Sequence, residues 1–284
     1  MNQGRSYLML IGGAEDRTGN KVVLKKVVKT ARAKNIIVIP TASSYPRDIK
    51  NSYNDAFKSI GIKNIDCFDI RYPDEADKTE YFETLEKAQL IFFSGGDQKR
   101  LVEVLNRTRL MDRIKERFYD GTLSIAGTSA GAAAVSDPMI YDGDYRGFEK
   151  DSINYSEGFG FLKDVTVDTH FLNRERIPRL TQFLVKGISQ RGIGLSEDTG
   201  IIISPNLKFE VVGSGMVTLL NSEKITHTNY FEINDKNIFS VNNLRIGFLA
   251  HGSKFSIKKW SVLKSNDNTF YQKSLFERSW SLNC

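Results

Sequence analysis

Length, composition and charge exclude several classes of protein. The chain has 284 residues, 40% hydrophobic and 26% charged, which is enough to bury a full core. No apolar run approaches the roughly 20 residues that cross a bilayer, no apolar leader precedes Tyr7, and two cysteines, Cys67 and Cys284, make no disulfide framework. We therefore expect a cytoplasmic protein without a membrane partner. A net charge of +6 favours anionic partners in general, but it is too thinly spread to indicate nucleic acid.

The order of the predicted elements indicates the fold class. Strands at 7–11, 35–40, 65–70, 89–93 and 123–126 alternate with helices at 21–33, 49–59, 78–87 and 97–118. This pattern predicts an α/β fold with a doubly wound, mostly parallel sheet. Short strands follow at 201–204, 208–212, 216–220, 224–228 and 245–250.

The chain contains no long linker, repeat or low-complexity segment, so we predict a single domain over residues 1–284. Residues 1–190 form its α/β core, and residues 191–260 form a β-rich extension that packs on the same sheet. Residues 261–284 form a tail whose role the sequence leaves open.

A serine within a run of small residues is the most informative motif. Gly127-Thr128-Ser129-Ala130-Gly131 lies between an apolar run and an alanine-rich segment, which predicts a strand, a tight turn and a helix start. On such a turn the side chain of Ser129 is exposed, and the amide N–H of Ala130 is free to bind a developing oxyanion. Because small residues also occur in ordinary turns, the interpretation of Ser129 as a nucleophile depends on an accompanying base and acid.

His170 and Glu197 are the candidate base and acid. Of three histidines, His170 ends a strand-like segment, whereas His227 and His251 are interpreted as ordinary strand or turn residues in the β-rich extension. Glu197 ends another predicted strand and could orient the imidazole, with Asp198 as the alternative. Since α/β-hydrolases place the acid before the histidine, the order serine, histidine, acid disfavours an ordinary lipase or esterase.

Two glycine pairs lie where strands of such a sheet end. Glycine there allows a substrate or another backbone to approach closely. We interpret Gly96 as a second oxyanion donor, and Gln98 as a side chain that could face the substrate. Gly12-Gly13 is equally well interpreted as a tight turn, and neither pair has the spacing of a phosphate-binding loop.

Three arginines closely follow His170. Pro178 predicts the first turn of a helix and an extended residue, Ile177, before it. Arg179 would lie near the positive end of that helix, where an anionic ligand would explain a cation. Because guanidinium groups pair well with carboxylates, we interpret Arg174, Arg176 and Arg179 as a carboxylate-binding cluster; a solvated basic turn is the alternative.

Together these motifs resemble the cyanophycinases, within the peptidase E family of serine peptidases. The resemblance runs from about residue 7 to residue 260 and is carried by Gly95–Gln98, Gly127–Ala132, Asp168–Phe171, the three arginines and Gly192–Glu197. It implies a fold like the class I glutamine amidotransferases, a homodimer, and exopeptidase release of β-Asp-Arg dipeptides from cyanophycin. It also implies a Ser129-His170-Glu197 triad, with Gln98, Asp168, Arg174, Arg176 and Arg179 around the substrate.

Such a substrate carries a free carboxylate and a guanidinium, so arginines would bind the one and Asp168 the other. No cofactor is expected, and no metal, because the histidines and carboxylates lack ligand spacing. Three alternatives stay open: an α-aspartyl dipeptidase, a glutamine amidotransferase, which should have cysteine in place of Ser129, and a non-catalytic module that binds an anionic polymer.

Overall fold

The computed structural model describes residues 6–143 and 146–263. Of the predicted tail, residues 264–284 lie outside the described residues. The strands, in chain order, are β1 Leu8–Ile11, β2 Asn35–Ile39, β3 Asn64–Cys67, β4 Leu90–Phe93, β5 Ser124–Thr128, β6 Ser136–Asp137, β7 Met139–Asp142, β8 Asn154–Ser156, β9 Leu162–Lys163, β10 Thr166–Thr169, β11 Arg191–Leu195, β12 Thr199–Ile203, β13 Lys208–Gly213, β14 Val217–Asn221, β15 His227–Thr228, β16 Val241–Asn242, β17 Arg245–Leu249, β18 Lys254–Ser256 and β19 Ser261–Val262.

The α-helices are α1 Val22–Ala31, α2 Pro46–Ser59, α3 Thr79–Lys87, α4 Gln98–Leu105, α5 Arg109–Tyr119, α6 Ala130–Ala133 and α7 Ile177–Val185, and a 3₁₀ helix covers Pro73–Asp77. The first five strands and the helices that connect them confirm the predicted alternation. Their bounds shift by a few residues from the predicted ones.

The central sheet has nine strands in the order β19-β18-β13-β12-β1-β5-β4-β2-β3. The five strands β3, β2, β4, β5 and β1 are parallel to one another, and β12, β13, β18 and β19 extend them by antiparallel pairing. Parallel strands place all their carboxyl ends at one edge, which is where ligands bind in open α/β sheets. The fold is therefore mixed α/β around a large sheet whose parallel half has such an edge.

The two faces of the sheet are both buried. On β1, Met9 and Ile11 pack on one face with α1, while Leu8 and Leu10 belong to the core on the other face. This alternation follows the two-residue period of a strand. Burial on both sides explains why β1, β2 and β4 are nearly continuous apolar runs, whereas β3, at the edge of the sheet, is partly exposed and less apolar.

Three expectations differ from the structure. The β-rich extension does not pack on one sheet only: β11, β14 and β17 join β10 in a second sheet, in the order β10-β11-β14-β17. The helix expected at 97–118 is two helices, because Arg107 adopts a left-handed φ of 64° and the Thr108 side chain caps α5 by accepting from the Met111 amide. Ile177 is not extended but is the first residue of α7, since the second position of a helix tolerates proline.

Candidate active site

Ser129 lies on a strained turn between β5 and α6. Its backbone has φ 52° and ψ −118°, a conformation that non-glycine residues rarely adopt. The flanking glycines are required by space, because a Cβ on Gly127 would lie 2.3 Å from the Gly131 carbonyl oxygen, and one on Gly131 would lie 2.3 Å from the Phe93 carbonyl oxygen. The predicted strand, tight turn and helix start are present, and the role of Ser129 as a nucleophile stays a prediction.

Ser129, His170 and Glu197 form a continuous chain of hydrogen bonds. Ser129 Oγ is 2.8 Å from His170 Nε2, and His170 Nδ1 is 2.7 Å from Glu197 Oε1. His170 directly follows β10 and Glu197 follows β11, and these two strands are parallel neighbours in the second sheet. Their adjacent carboxyl ends therefore bring the base and the acid together. Such a chain can hold one imidazole tautomer and accept a proton from the serine.

Asp198, the alternative acid, points elsewhere. Its carboxylate accepts hydrogen bonds from the Asp16 amide at 3.0 Å and from the Ser214 hydroxyl at 2.7 Å. It anchors the loop that follows β1. The other two histidines, His227 and His251, are exposed, and His251 Nδ1 accepts from the Gly213 amide at 3.2 Å.

The surroundings of His170 lower its pKa below the ordinary value of 6.5. Burial is the largest cause, because it disfavours the charged imidazolium. The hydrogen bond that His170 Nδ1 donates to Glu197 opposes this effect, and the positive charges of Arg174 and Arg176 add to the lowering. The imidazole is thus kept neutral at neutral pH, which is the state that can act as a base.

The predicted oxyanion donors are the backbone amides of Ala130 and Gly96. The amide of Ala130 is at the first position of α6, where a helix has no partner for it. The Gly95-Gly96 turn packs against Ser129, since a Cβ on Gly95 would be 3.2 Å from Ser129 Cβ. Gly96 has a φ of 142°, and a Cβ there would lie 2.1 Å from the Ala42 carbonyl oxygen, so only glycine fits. Their role as donors stays a prediction.

Asp168 and Arg179 face each other rather than the solvent. Their side chains are 1% and 3% exposed, and Arg179 donates to both carboxylate oxygens, with Nε to Oδ2 at 2.7 Å. Arg176 lies 3.5 Å from the same carboxylate and donates to the Thr169 carbonyl oxygen at 2.7 Å. The cation at the positive end of α7 is therefore explained by Asp168, without an external anion.

Gln98 and Arg174, the remaining predicted substrate residues, differ in how many of their polar groups are already hydrogen-bonded within the protein. Gln98 donates its amide to the Ile140 and Tyr141 carbonyl oxygens at 3.1 and 3.2 Å, which leaves its own carbonyl oxygen available. Arg174 is exposed, and no acceptor for its guanidinium occurs among residues 6–143 and 146–263. Of the three arginines, Arg174 is the most exposed, and its role in binding stays a prediction.

The loop after β1 contacts His170 and Asp198, which the sequence had not indicated. The Gly12 carbonyl oxygen accepts from the His170 amide at 2.8 Å, and the Gly13 carbonyl oxygen accepts from the Asp198 amide at 2.9 Å. A Cβ on Gly13 would lie 2.3 Å from His170 Cε1. Two glycines in succession at the end of a buried strand were the available signal, and the tight-turn interpretation was incomplete.

A strained serine, a neutral histidine and a carboxylate in this order are the arrangement used by serine hydrolases. Comparison with known proteins agrees with that class. The model of Peptidase family S51 matches residues 8–209, and the chain belongs to this family and is a serine-type peptidase.

Curated relatives cover nearly the whole chain. A cyanophycinase of Geminocystis herdmanii is 34% identical over 257 residues, covering 89% of this chain and 94% of the relative. A cyanophycinase of Trichormus variabilis is 33% identical over 262 residues, covering 91% and 88%. The crystal structure of a peptidase from an acI-B1 actinobacterium has a TM-score of 0.70 at 23% identity and covers 90% of this chain and 99% of its own, a likeness of fold.

Within the described residues, no helix has the length and apolar character of a membrane span. The same residues contain no cluster of three or more potential metal ligands.

Proposed function

We propose that this chain is a serine exopeptidase that hydrolyses cyanophycin to β-Asp-Arg dipeptides. The observation that carries the proposal is the hydrogen-bonded chain from Ser129 Oγ through His170 to Glu197, at 2.8 and 2.7 Å. The substrate class follows from the similarity to cyanophycinases over about 90% of the chain. An α-aspartyl dipeptidase is the second candidate, and the substrate comparison below separates the two.

In the proposed mechanism, Ser129 Oγ attacks the scissile carbonyl carbon while His170 Nε2 accepts the serine proton. Glu197 holds the imidazole and stabilises its charged form. The amides of Ala130 and Gly96 donate to the oxyanion of the tetrahedral intermediate. His170 then donates this proton to the leaving amine, and Ser129 is left as an acyl-enzyme. Water attacks the acyl carbon while His170 accepts a proton from it, and His170 then donates that proton to Ser129 Oγ, which regenerates the hydroxyl.

The arginines are proposed to have two different tasks. Arg174, exposed beside the imidazole, binds a substrate carboxylate. Arg176 is half-buried, and its desolvation lowers its pKa to about 10, with Asp168 opposing this effect. We propose that Arg176 stabilises the loop that carries Arg174 and completes the carboxylate site. The buried Asp168–Arg179 pair stabilises this loop and Arg176 from the protein interior. Gln98 contributes its free carbonyl oxygen to the same substrate.

The assembly and setting are proposed as well. We propose a single domain like the class I glutamine amidotransferases, because the Ser129 turn follows β5, an interior strand of the parallel half-sheet, and the β-rich extension contributes strands to both sheets. A cytoplasmic location is proposed from the composition, and a homodimer from the resemblance and from Ile246 and Phe248, apolar side chains exposed on β17 at the edge of the second sheet. Sedimentation of the wild type and Phe248→Ser would test it; a wild-type monomer would contradict it.

The test of function compares substrates and variants. Purified protein is incubated with insoluble cyanophycin and separately with an α-Asp dipeptide, and the products are identified by mass. We expect β-Asp-Arg from the first, and a loss of on the order of 10⁴-fold or more in Ser129→Ala, which stays folded. Preference for the α-Asp dipeptide would favour the dipeptidase, and full activity of Ser129→Ala would overturn the mechanism.

A further inference from the structure

A buried carboxylate outside the proposed triad lies next to the nucleophile elbow. Glu15 follows the Gly12-Gly13 turn and is 4% exposed. No lysine, arginine or histidine pairs with it in the described part of the chain. Because a buried charge without a counter-ion is costly, its hydrogen-bond partners must compensate for the lost solvation.

Those partners are two hydroxyl groups, one on each carboxylate oxygen. The Tyr53 hydroxyl donates to Oε1 at 2.5 Å, and the Thr128 hydroxyl donates to Oε2 at 2.5 Å. Both donors are buried. Burial and the charge of Glu15 raise the pKa of Tyr53, so this hydroxyl keeps its proton and stays a donor.

Thr128 is the residue before Ser129, so its hydrogen bond acts on the elbow itself. The peptide plane between them sets the direction in which the serine side chain leaves the backbone. The Ser129 amide is tied to the Ile11 carbonyl oxygen at 3.0 Å, from the strand that leads into the Glu15 loop. A strained conformation such as φ 52° persists only where its surroundings determine it from several sides.

We propose that Glu15 is a positioning residue that acts through Thr128 to hold Ser129 Oγ within reach of His170. The inference rests on the proposed function, because it assigns Ser129 as the nucleophile. A carboxylate suits this task, since it accepts from both hydroxyls at once and the resulting charge-assisted bonds restrict the Thr128 side chain. The same loop holds the His170 amide through Gly12, so one segment aligns the nucleophile and the base.

The test separates positioning from stability with three matched variants. Thr128→Val removes the hydroxyl with little change of shape, Thr128→Ser keeps it, and Tyr53→Phe removes the other donor to the same carboxylate. We measure Tm, kcat and KM on cyanophycin, and the rate at which a fluorophosphonate probe labels Ser129.

We expect Thr128→Val to lower kcat and the labelling rate by roughly 10- to 100-fold with KM nearly unchanged, because small displacements of a reacting group have effects of this size. Thr128→Ser, which keeps the hydroxyl, should retain most of the wild-type kcat and labelling rate. Tyr53→Phe should lower Tm by about as much as Thr128→Val does, but with a much smaller loss of kcat.

A second comparison asks whether Glu15 acts through Thr128. The single variant Glu15→Gln and the double variant Glu15→Gln/Thr128→Val are measured in the same way. The double variant should be no slower than the slower of its two single variants, since both substitutions act on the same Glu15–Thr128 interaction. Additive losses, or equal losses of kcat in Tyr53→Phe and Thr128→Val, would overturn the inference. Failure of the probe to label wild-type Ser129 would instead overturn the proposed function.

Discussion

We predict that the absence of a side chain at Gly13 is required for the position of the His170 imidazole. A Cβ added at this position would lie 2.3 Å from Cε1, 2.4 Å from Nε2 and 3.1 Å from Nδ1 of that ring. Ordinary contact begins near 3.4 Å, so the ring of a Gly13→Ala variant must retreat by about 1 Å.

An imidazole ring displaced by this distance cannot keep both of its hydrogen bonds. They measure 2.8 Å to Ser129 and 2.7 Å to Glu197, and a bond lengthened by about 1 Å is no longer a hydrogen bond. We expect kcat/KM to fall by about 10²-fold for misplacement alone, and towards 10⁴-fold if the base is lost.

Gly61→Ala is the matched control. Gly61 has a φ of 95°, close to the 100° of Gly13, but no atom lies within 4 Å of an added Cβ. Both variants should therefore lose about 1–2 kcal/mol of stability from the left-handed backbone, and only Gly13→Ala should lose activity. Kinetics on cyanophycin and thermal unfolding of both proteins make the comparison. Equal kcat/KM in two folded variants would refute the reasoning.

Two further predictions concern charges near the site. Arg174→Gln should move the acid limb of the pH profile of kcat/KM to higher pH, because it removes a cation that lowers the pKa of His170; Glu197→Gln should move it to lower pH, because it removes the interaction that raises that pKa. Acid limbs that move in the same direction in the two variants would contradict this prediction. Asp168→Asn should destabilise the fold by about 3–5 kcal/mol in denaturant unfolding, because it leaves Arg179 buried without its counter-ion. A variant of nearly wild-type stability that has lost only substrate discrimination would instead support a role of Asp168 in binding the substrate guanidinium.

Features that depend on neighbours in the chain were predicted from the sequence. The elbow at Ser129 is one, because the small residues it needs are within two positions of it. The parallel strands are another, since burial on both faces leaves an apolar run that is visible without the structure. The position of His170 at the end of a strand also followed from local alternation, although its contact with Ser129 did not.

Features that depend on partners distant in the chain were decided by the tertiary structure. Asp168 and Arg179 were each interpreted as facing substrate, but β10 and α7 bring them together in a buried pair. Glu15 and Thr128 are 113 positions apart, and only the adjacency of β1 and β5 joins them. A sequence shows which side chains can carry charge or donate a proton, but burial and pairing determine which of them face a partner within the fold and which stay open to a ligand.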